Sequence, residues 1–196
     1  MNTSITEGLY LASQSPRRMA LLAQLGWYPK LLTIDFDETP VAAESPEAFV
    51  ERMARGKARA GLVSLGKLPG CVIAADTEVI LDGAIFGKPR DLAHATAMLE
   101  RLSARTHQVL SAVCVIDARG ESFSLSSSEV DFAELSAHTI GRYLATGDSF
   151  GKAGAYGVQG HAASFIKAIR GSYSGIMGLP LFETAQLVTA RLSGAP

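Results

Sequence analysis

The sequence predicts an α/β fold built on a mixed β-sheet, and three observations predict it. Strand-like apolar runs alternate with helical apolar stripes along most of the 196 residues. Residues 71–81 form a near-continuous apolar run, broken by Asp76, Thr77 and Glu78, as expected of a central strand covered on both faces. Two further strand-like runs, 109–116 and 122–132, stand on either side of a turn at Arg119-Gly120. A chain of this length fits one domain, taken as residues 1–196.

In chain order, Gly8 to Ser13 reads as a short first strand. Ser15-Pro16 is a helix-start pair, with Ser as N-cap and Pro at the first helical position. Leu21, Leu22 and Leu25 carry that helix to a stop at Gly26. Leu31 to Ile34 suggests a second strand, and Asp35 to Glu44 is acidic and irregular. Ser45-Pro46-Glu47 repeats the start signal for a helix that continues to about Leu65. After the central strand, Asp82-Gly83 signals a hairpin turn. Leu92, Ala95, Leu99 and Leu102 place a helical stripe within residues 91–104. Ser136 caps a helix containing Ile140, Tyr143 and Leu144. Gly147 to Gly160 is a glycine-rich loop, 163–169 a strand, and Leu179-Pro180 opens a last helix that ends near Leu192.

Composition excludes several classes of function. Hydrophobic residues are 47% of the chain and charged residues 19%, which suits a packed core and not a disordered chain. A formal charge of -1, with no stripe of aromatic and basic residues, argues against nucleic acid as a partner. No run of ~18 apolar residues occurs, so no membrane span is expected. The start, MNTSITEGLY, lacks a basic segment followed by an apolar one, so no signal peptide is expected. Cys71 and Cys114 lie in apolar runs without zinc or redox spacing; two reduced, buried thiols suit a cytoplasmic location.

The residues that carry chemistry are mostly cations. Arg17 and Arg18 occupy the first turn of the first helix, where the helix dipole disfavours positive charge. They are either solvated at the surface or gathered, with Ser13 and Ser15, around an anion. Lys57 lies in line with Phe49, Met53 and Ala60, so it either snorkels to water or reaches a polar site. Asp76 is a carboxylate within a doubly covered strand, which requires an ionic partner, hydrogen bonds or a metal. Alternation puts Asp76 and Glu78 on one face, roughly 7 Å apart, and Thr77 on the other. Either acid could bind a hard divalent cation or activate a water, or serve only as a structural ion pair. Lys88 precedes Pro89 after the hairpin, and Lys152 and Gln159 sit among closely spaced glycines; each also reads as an ordinary turn or loop residue. That loop matches neither a Walker A nor a dinucleotide fingerprint. His94, His107, His138 and His161 form no catalytic set. With cations, a few acids and no evident nucleophile, the inventory suits phosphoryl chemistry.

At these residues the sequence resembles the Maf family. The shared segments are Leu11-Ala12-Ser13-Gln14-Ser15-Pro16-Arg17-Arg18, Glu38, Lys57-Ala58, Ala75-Asp76-Thr77, Gly87-Lys88-Pro89, Thr106-His107-Gln108-Val109, the run from Lys152 to Gly160, Gly171-Ser172-Tyr173 and Gly178-Leu179-Pro180. They stand in family order over nearly the whole chain. The resemblance implies a long mixed sheet flanked by helices, with two lobes and a central cleft. It implies hydrolysis of a nucleoside triphosphate between its α- and β-phosphates with a divalent cation, Mg²⁺ or Mn²⁺.

By position, the resemblance makes Asp76 the proton acceptor and gives Asp76 and Glu38 to the metal. Ser13, Arg17, Arg18, Lys57 and Lys88 fall on the phosphate side. Arg17, Thr77 and Gln159 match the specificity positions of the branch acting on dTTP and UTP; the branch acting on 7-methyl-GTP carries Trp, Gln and Glu there. Three departures stand out: Gly56 where Glu usually precedes the helix lysine, Glu78 where many members are apolar, and Ala133 where Arg often follows Phe. The family analogy suggests clearance of unwanted pyrimidine nucleotides, with a homodimer and a role in septum formation open. The alternatives are a hydrolase of other or modified nucleotides and a non-catalytic, nucleotide-binding regulator of septum formation.

Overall fold

The structure, a computed structural model, describes residues 8–192. The reading of the start as lacking a signal peptide falls largely on residues 1–7, outside the described residues. Seven strands form one sheet: β1 (Leu9–Leu11), β2 (Lys30–Leu31), β3 (Cys71–Leu81), β4 (Ala84–Phe86), β5 (Thr106–Asp117), β6 (Gly120–Phe132) and β7 (Ile166–Arg170). Six helices accompany them: α1 (Pro16–Gln24), α2 (Pro46–Leu65), α3 (Leu92–Leu102), α4 (Ala137–Leu144), α5 (Tyr173–Met177) and α6 (Leu181–Leu192). The strand order is β2-β1-β3-β5-β6-β7, with β4 paired to β3 off this path. Strand β1 runs parallel to β2 and β3, and the other pairings are antiparallel, so the sheet is mixed as the sequence predicts.

Strand β3 is central because its residues are apolar on both faces. Cys71, Ile73 and Ala75 pack with Leu21 and Leu22 of α1 and Val188 of α6. Val72 and Ala74 point the other way, against Phe49, Val50 and Met53 of α2. Further along, Val79 and Leu81 join a third cluster with Leu99 and Leu102 of α3 and Ile140 of α4. Fully buried side chains such as Leu22, Met53 and Leu99 each contribute roughly 2 kcal/mol by leaving water.

What positions the site is a gap in pairing along β3. On one edge β1 covers residues 71–73 and β4 covers residues 79–81. Among the described residues no strand pairs with 74–78 on that edge, while β5 continues unbroken along the other. The chain leaves β1 after Leu11 and turns into α1, so a crevice opens past the carboxyl end of a parallel strand, at a change of strand direction.

Some boundaries differ from those expected. The second strand is Lys30–Leu31 and not 31–34, because β1 ends at Leu11; Leu32 N–H still reaches the Leu11 carbonyl at 2.9 Å, and beyond it no strand among the described residues pairs with the chain. The strand expected at 163–169 begins at Ile166, since His161–Phe165 coils into a 3₁₀ turn. Strands β5 and β6 are longer than the apolar runs, because Thr106↔Asp131 to Asp117↔Gly120 pair in continuous register. The short helix α5 was not foreseen. Ser45 and Ser136 cap their helices through Ala48 and Thr139 N–H groups. Ser15 does not: its side chain makes no cap bond, and its own N–H donates to Ser13 Oγ at 3.2 Å. No helix among the described residues is long and apolar enough to cross a membrane.

Candidate active site

The gap in β3 opens into a cavity of about 420 Å³, where the three apolar clusters meet. That volume is within the range of small-molecule sites. All the site residues read from the sequence reach it. Asp76 and Thr77 come from β3, Lys57 from α2, and Ser13, Arg17 and Arg18 from the entry to α1. Glu38 comes from the irregular 35–44 segment, Lys88 from the turn after β4, and Gln159 from the glycine loop.

Lys57 does not snorkel. It is 8% exposed, and its Nζ lies 2.7 Å from Asp76 Oδ1 and 2.9 Å from Glu38 Oε1. One ammonium therefore joins an acid of the central strand to an acid of a loop. Asp76 is 5% exposed, and its second oxygen, Oδ2, is buried without a hydrogen-bond partner. Burial raises the Glu38 carboxyl, but its bond to Lys57 and the charges of Lys57, Lys88 and Arg18 outweigh that and hold it below the usual range. Glu78 behaves oppositely. Burial, then the neighbouring Asp76, pushes its carboxyl up to about 8 against the pull of Lys88 and Lys57. Its Oε2 is also without a partner.

Arg18 is fixed in the wall. Its Nε donates to the Gly178 carbonyl at 2.8 Å and its Nη1 to Ser13 Oγ at 3.0 Å. Burial lowers its pKa, Asp76 opposes that, and Arg17 adds to the lowering. An anion here would relieve the crowding of two guanidinium groups at an uncapped helix start. Arg17 reaches the Gly151 carbonyl at 3.4 Å, and burial lowers its pKa. Lys88 lines the cavity.

The glycine loop is tied down at several points. Gly154 N–H donates to the Gly87 carbonyl at 3.2 Å, which couples the loop to the turn carrying Lys88. Tyr156 hydroxyl bonds His107 Nε2 at 2.8 Å, inside a set of edge-to-face rings with Phe132 and Phe165. Burial pushes His107 down to about 4.

Thr77 faces away from Lys57, as strand alternation requires. Its hydroxyl lies 2.9 Å from Ser111 Oγ and donates to the Gly178 carbonyl at 3.3 Å. Sequence reasoning missed Ser111 and the Gly178 carbonyl. A serine in an apolar strand, directly across from Thr77 in the register, was the available signal for the first; nothing in the side-chain pattern signals a carbonyl. It also missed why position 56 is glycine. A Cβ there would stand 2.1 Å from Phe36 Cζ, so α2 is bare where the loop carrying Glu38 crosses it.

Among the described residues no three His, Cys, Asp or Glu side chains converge as a ready metal cage. The donors present suit a different kind of site. Mg²⁺ commonly takes one or two carboxylates and completes its shell with phosphate oxygens and water. Asp76, with a free buried oxygen, and Glu38, across the same lysine, fit that pattern.

Residues 8–191 match the profile of the family described as Maf-like protein. The chain is 53% identical over 193 residues to the dTTP/UTP pyrophosphatase of Burkholderia thailandensis, covering 93% of this chain and 92% of that protein. It is 47% identical over 197 residues to the dTTP/UTP pyrophosphatase of Nitrosospira multiformis, covering 95% of each. Among solved structures, the Staphylococcus aureus Ham1 protein superposes with a TM-score of 0.56 at 16% identity, over 96% of this chain and 99% of that one. At that identity the likeness speaks for the fold.

Proposed function

The chain belongs to the Maf-like protein family, and from that premise we propose that it hydrolyses dTTP and UTP to the monophosphate and pyrophosphate. The observation that carries the reading is the placement of Lys57, Arg18 and Lys88 around one cavity with Asp76 and Glu38. The names of the relatives, at about half identity over nearly full length, support the pyrimidine nucleotide as substrate.

The chemistry follows from what each group offers. Arg18, Lys57 and Lys88 take the triphosphate oxygens and hold the α-phosphorus toward β3. A water attacks that phosphorus, and its proton passes to the Asp76 carboxylate, whose rotamer Lys57 holds through Oδ1. The bond from the α-phosphorus to the bridging oxygen breaks. Pyrophosphate leaves with its new charge facing the same cations, which stabilise it more in the transition state than in the ground state. Asp76 and Glu38 would hold a divalent cation, Mg²⁺ or Mn²⁺, which would supply further charge neutralisation. Arg17, Thr77 and Gln159 stand around the same cavity as candidates for reading the base.

The test is product analysis. Purified protein with Mg²⁺ or Mn²⁺ is given dTTP, UTP, 7-methyl-GTP and modified pyrimidine triphosphates. Monophosphate and pyrophosphate from dTTP and UTP are expected. Release of orthophosphate and a diphosphate would place the cut at the wrong bond. Binding without turnover would favour a regulatory nucleotide-binding protein.

A further inference from the structure

The segment Gly171-Ser172-Tyr173 gives no side chain to the chemistry above, and neither Ser172 nor its partner Ser128 lines the cavity. Ser172 starts α5, a helix of five residues. A helix that short has too few internal bonds to hold its own place, so its ends must be fixed from outside. At the first end, Ser172 Oγ accepts the Gly175 N–H at 3.0 Å. The Ser172 N–H donates to Ser128 Oγ of β6 at 2.9 Å, and that hydroxyl turns its proton to the Ser172 carbonyl at 3.5 Å. Ser128 is buried in the sheet. Gly171 lets the two strands of this clasp approach: its φ is +114°, and a Cβ there would stand 2.6 Å from Ser128 Oγ.

The other end of α5 reaches the site. Gly178 closes the helix at a φ of +133°, with its N–H on the Ser174 carbonyl at 3.1 Å. Its own carbonyl accepts Arg18 Nε at 2.8 Å and the Thr77 hydroxyl at 3.3 Å. Arg18 Nη1 donates to Ser13 Oγ at 3.0 Å. These two acceptors decide which N–H groups of the planar guanidinium remain for a phosphate, and at what angle. Helix α5 is therefore a strut, pinned to β6 at one end and carrying at the other the carbonyl that aims Arg18.

We infer that Ser172, clasped by Ser128, is a positioning residue for Arg18 and sets the angle at which its guanidinium meets the triphosphate. Without the Ser172 hydroxyl the Gly175 N–H loses its partner, and the first turn of α5 frays. The strut then drifts, the Gly178 carbonyl turns, and the guanidinium follows it through Nε. A forked grip on phosphate oxygens tolerates little tilt. The sheet does not depend on that hydroxyl, because β5 and β6 keep their register and Ile176 keeps its apolar neighbours. The inference rests on the proposed function for the identity of the anion, and it adds to the site two residues that lie outside the cavity.

The experiment is a double-mutant cycle on the full chain with Mg²⁺ or Mn²⁺. It is read twice, as kcat/KM for dTTP and as the Kd of pyrophosphate by titration calorimetry. Ser172→Ala is expected to lower kcat/KM by on the order of 10-fold and to weaken pyrophosphate severalfold, with circular dichroism unchanged. Ser172→Thr keeps the capping oxygen and is expected to stay within about twofold of the parent. In an Arg18→Met background, Ser172→Ala is expected to cost less than about twofold in either measure. A merely structural role would cost as much there as in the parent, and that result overturns the inference. So do parental values in a folded Ser172→Ala, which leave the pyrophosphatase reading intact. Should Ser172→Ala fail to fold, Ser128→Ala takes its place in the cycle with the same expectations. A parent that binds pyrophosphate but cleaves neither dTTP nor UTP removes the function, while the calorimetric cycle still decides the inference.

Discussion

The Phe36 ring lies where a side chain on residue 56 would be: a Cβ added to Gly56 would come within 2.1 Å of Phe36 Cζ and 2.4 Å of Cε2. Two residues beyond Phe36, Glu38 meets Lys57, the residue after Gly56. The bare patch on α2 and the ion pair are therefore parts of one contact.

Gly56→Ala separates stability from function. The alanine favours the helix by about 1 kcal/mol, and displacing Phe36 costs a comparable amount. Little net change in melting temperature is expected. The loop must move, however, and Glu38 with it. A several-fold rise in KM for the nucleotide, and weaker Mn²⁺ binding by titration, are expected. Parental values for both would show that the loop adjusts without disturbing Glu38.

Lys57→Met leaves Asp76 buried beside an apolar chain. Removing one partner of such a pair costs about 3–5 kcal/mol, and in a domain of this size each kcal/mol lowers the melting temperature by roughly 2–4 °C. The double variant Lys57→Met/Asp76→Leu is expected to regain most of the loss and to remain inactive. Additive destabilisation of the two changes, measured in a double-mutant cycle, would contradict the pairing.

Asp76→Asn keeps an oxygen for Lys57 and removes the base. Turnover is expected to fall by at least about 100-fold, with the fold retained by circular dichroism. In the parent, reaction in ¹⁸O-water is expected to place the label in the monophosphate. Label in pyrophosphate would put the attack on the wrong phosphorus.

His107 gives an acid limb to stability. Burial holds it at about 4, below an ordinary value of 6.5. Above the upper figure neither state is protonated, and its contribution is whole. As the pH falls toward the lower one, the unfolded chain binds a proton that the folded chain refuses. Stability falls by on the order of 3 kcal/mol across that window and then levels off. His107→Gln, which can still bond Tyr156, is expected to flatten the curve in urea unfolding between pH 6.5 and 4. An unchanged slope would assign the acid limb to other groups.

Much of this was legible in the sequence because single residues announced it. An acid within the 71–81 run and a lysine within the α2 stripe were each out of place, and the structure joins them across 19 positions. Helix starts were legible where Ser precedes Pro, although Ser15 turned out to leave its helix uncapped. What stayed hidden depends on partners distant in sequence. The shortness of β2 follows from where β1 stops, Gly56 is explained only by a ring 20 residues earlier, and Ser111 gains meaning only beside Thr77. The 3₁₀ turn before β7 gave no periodic signal.

The open stretch of β3 beyond β1 sets a limit on how this chain can vary. Lengthening β1 by two or three residues would satisfy more main-chain groups and make the sheet sturdier, yet it would zip shut the entrance that a nucleotide needs. Selection for robustness and selection for access thus oppose each other at the end of one three-residue strand, and a thermostable variant sought in the laboratory is best looked for elsewhere.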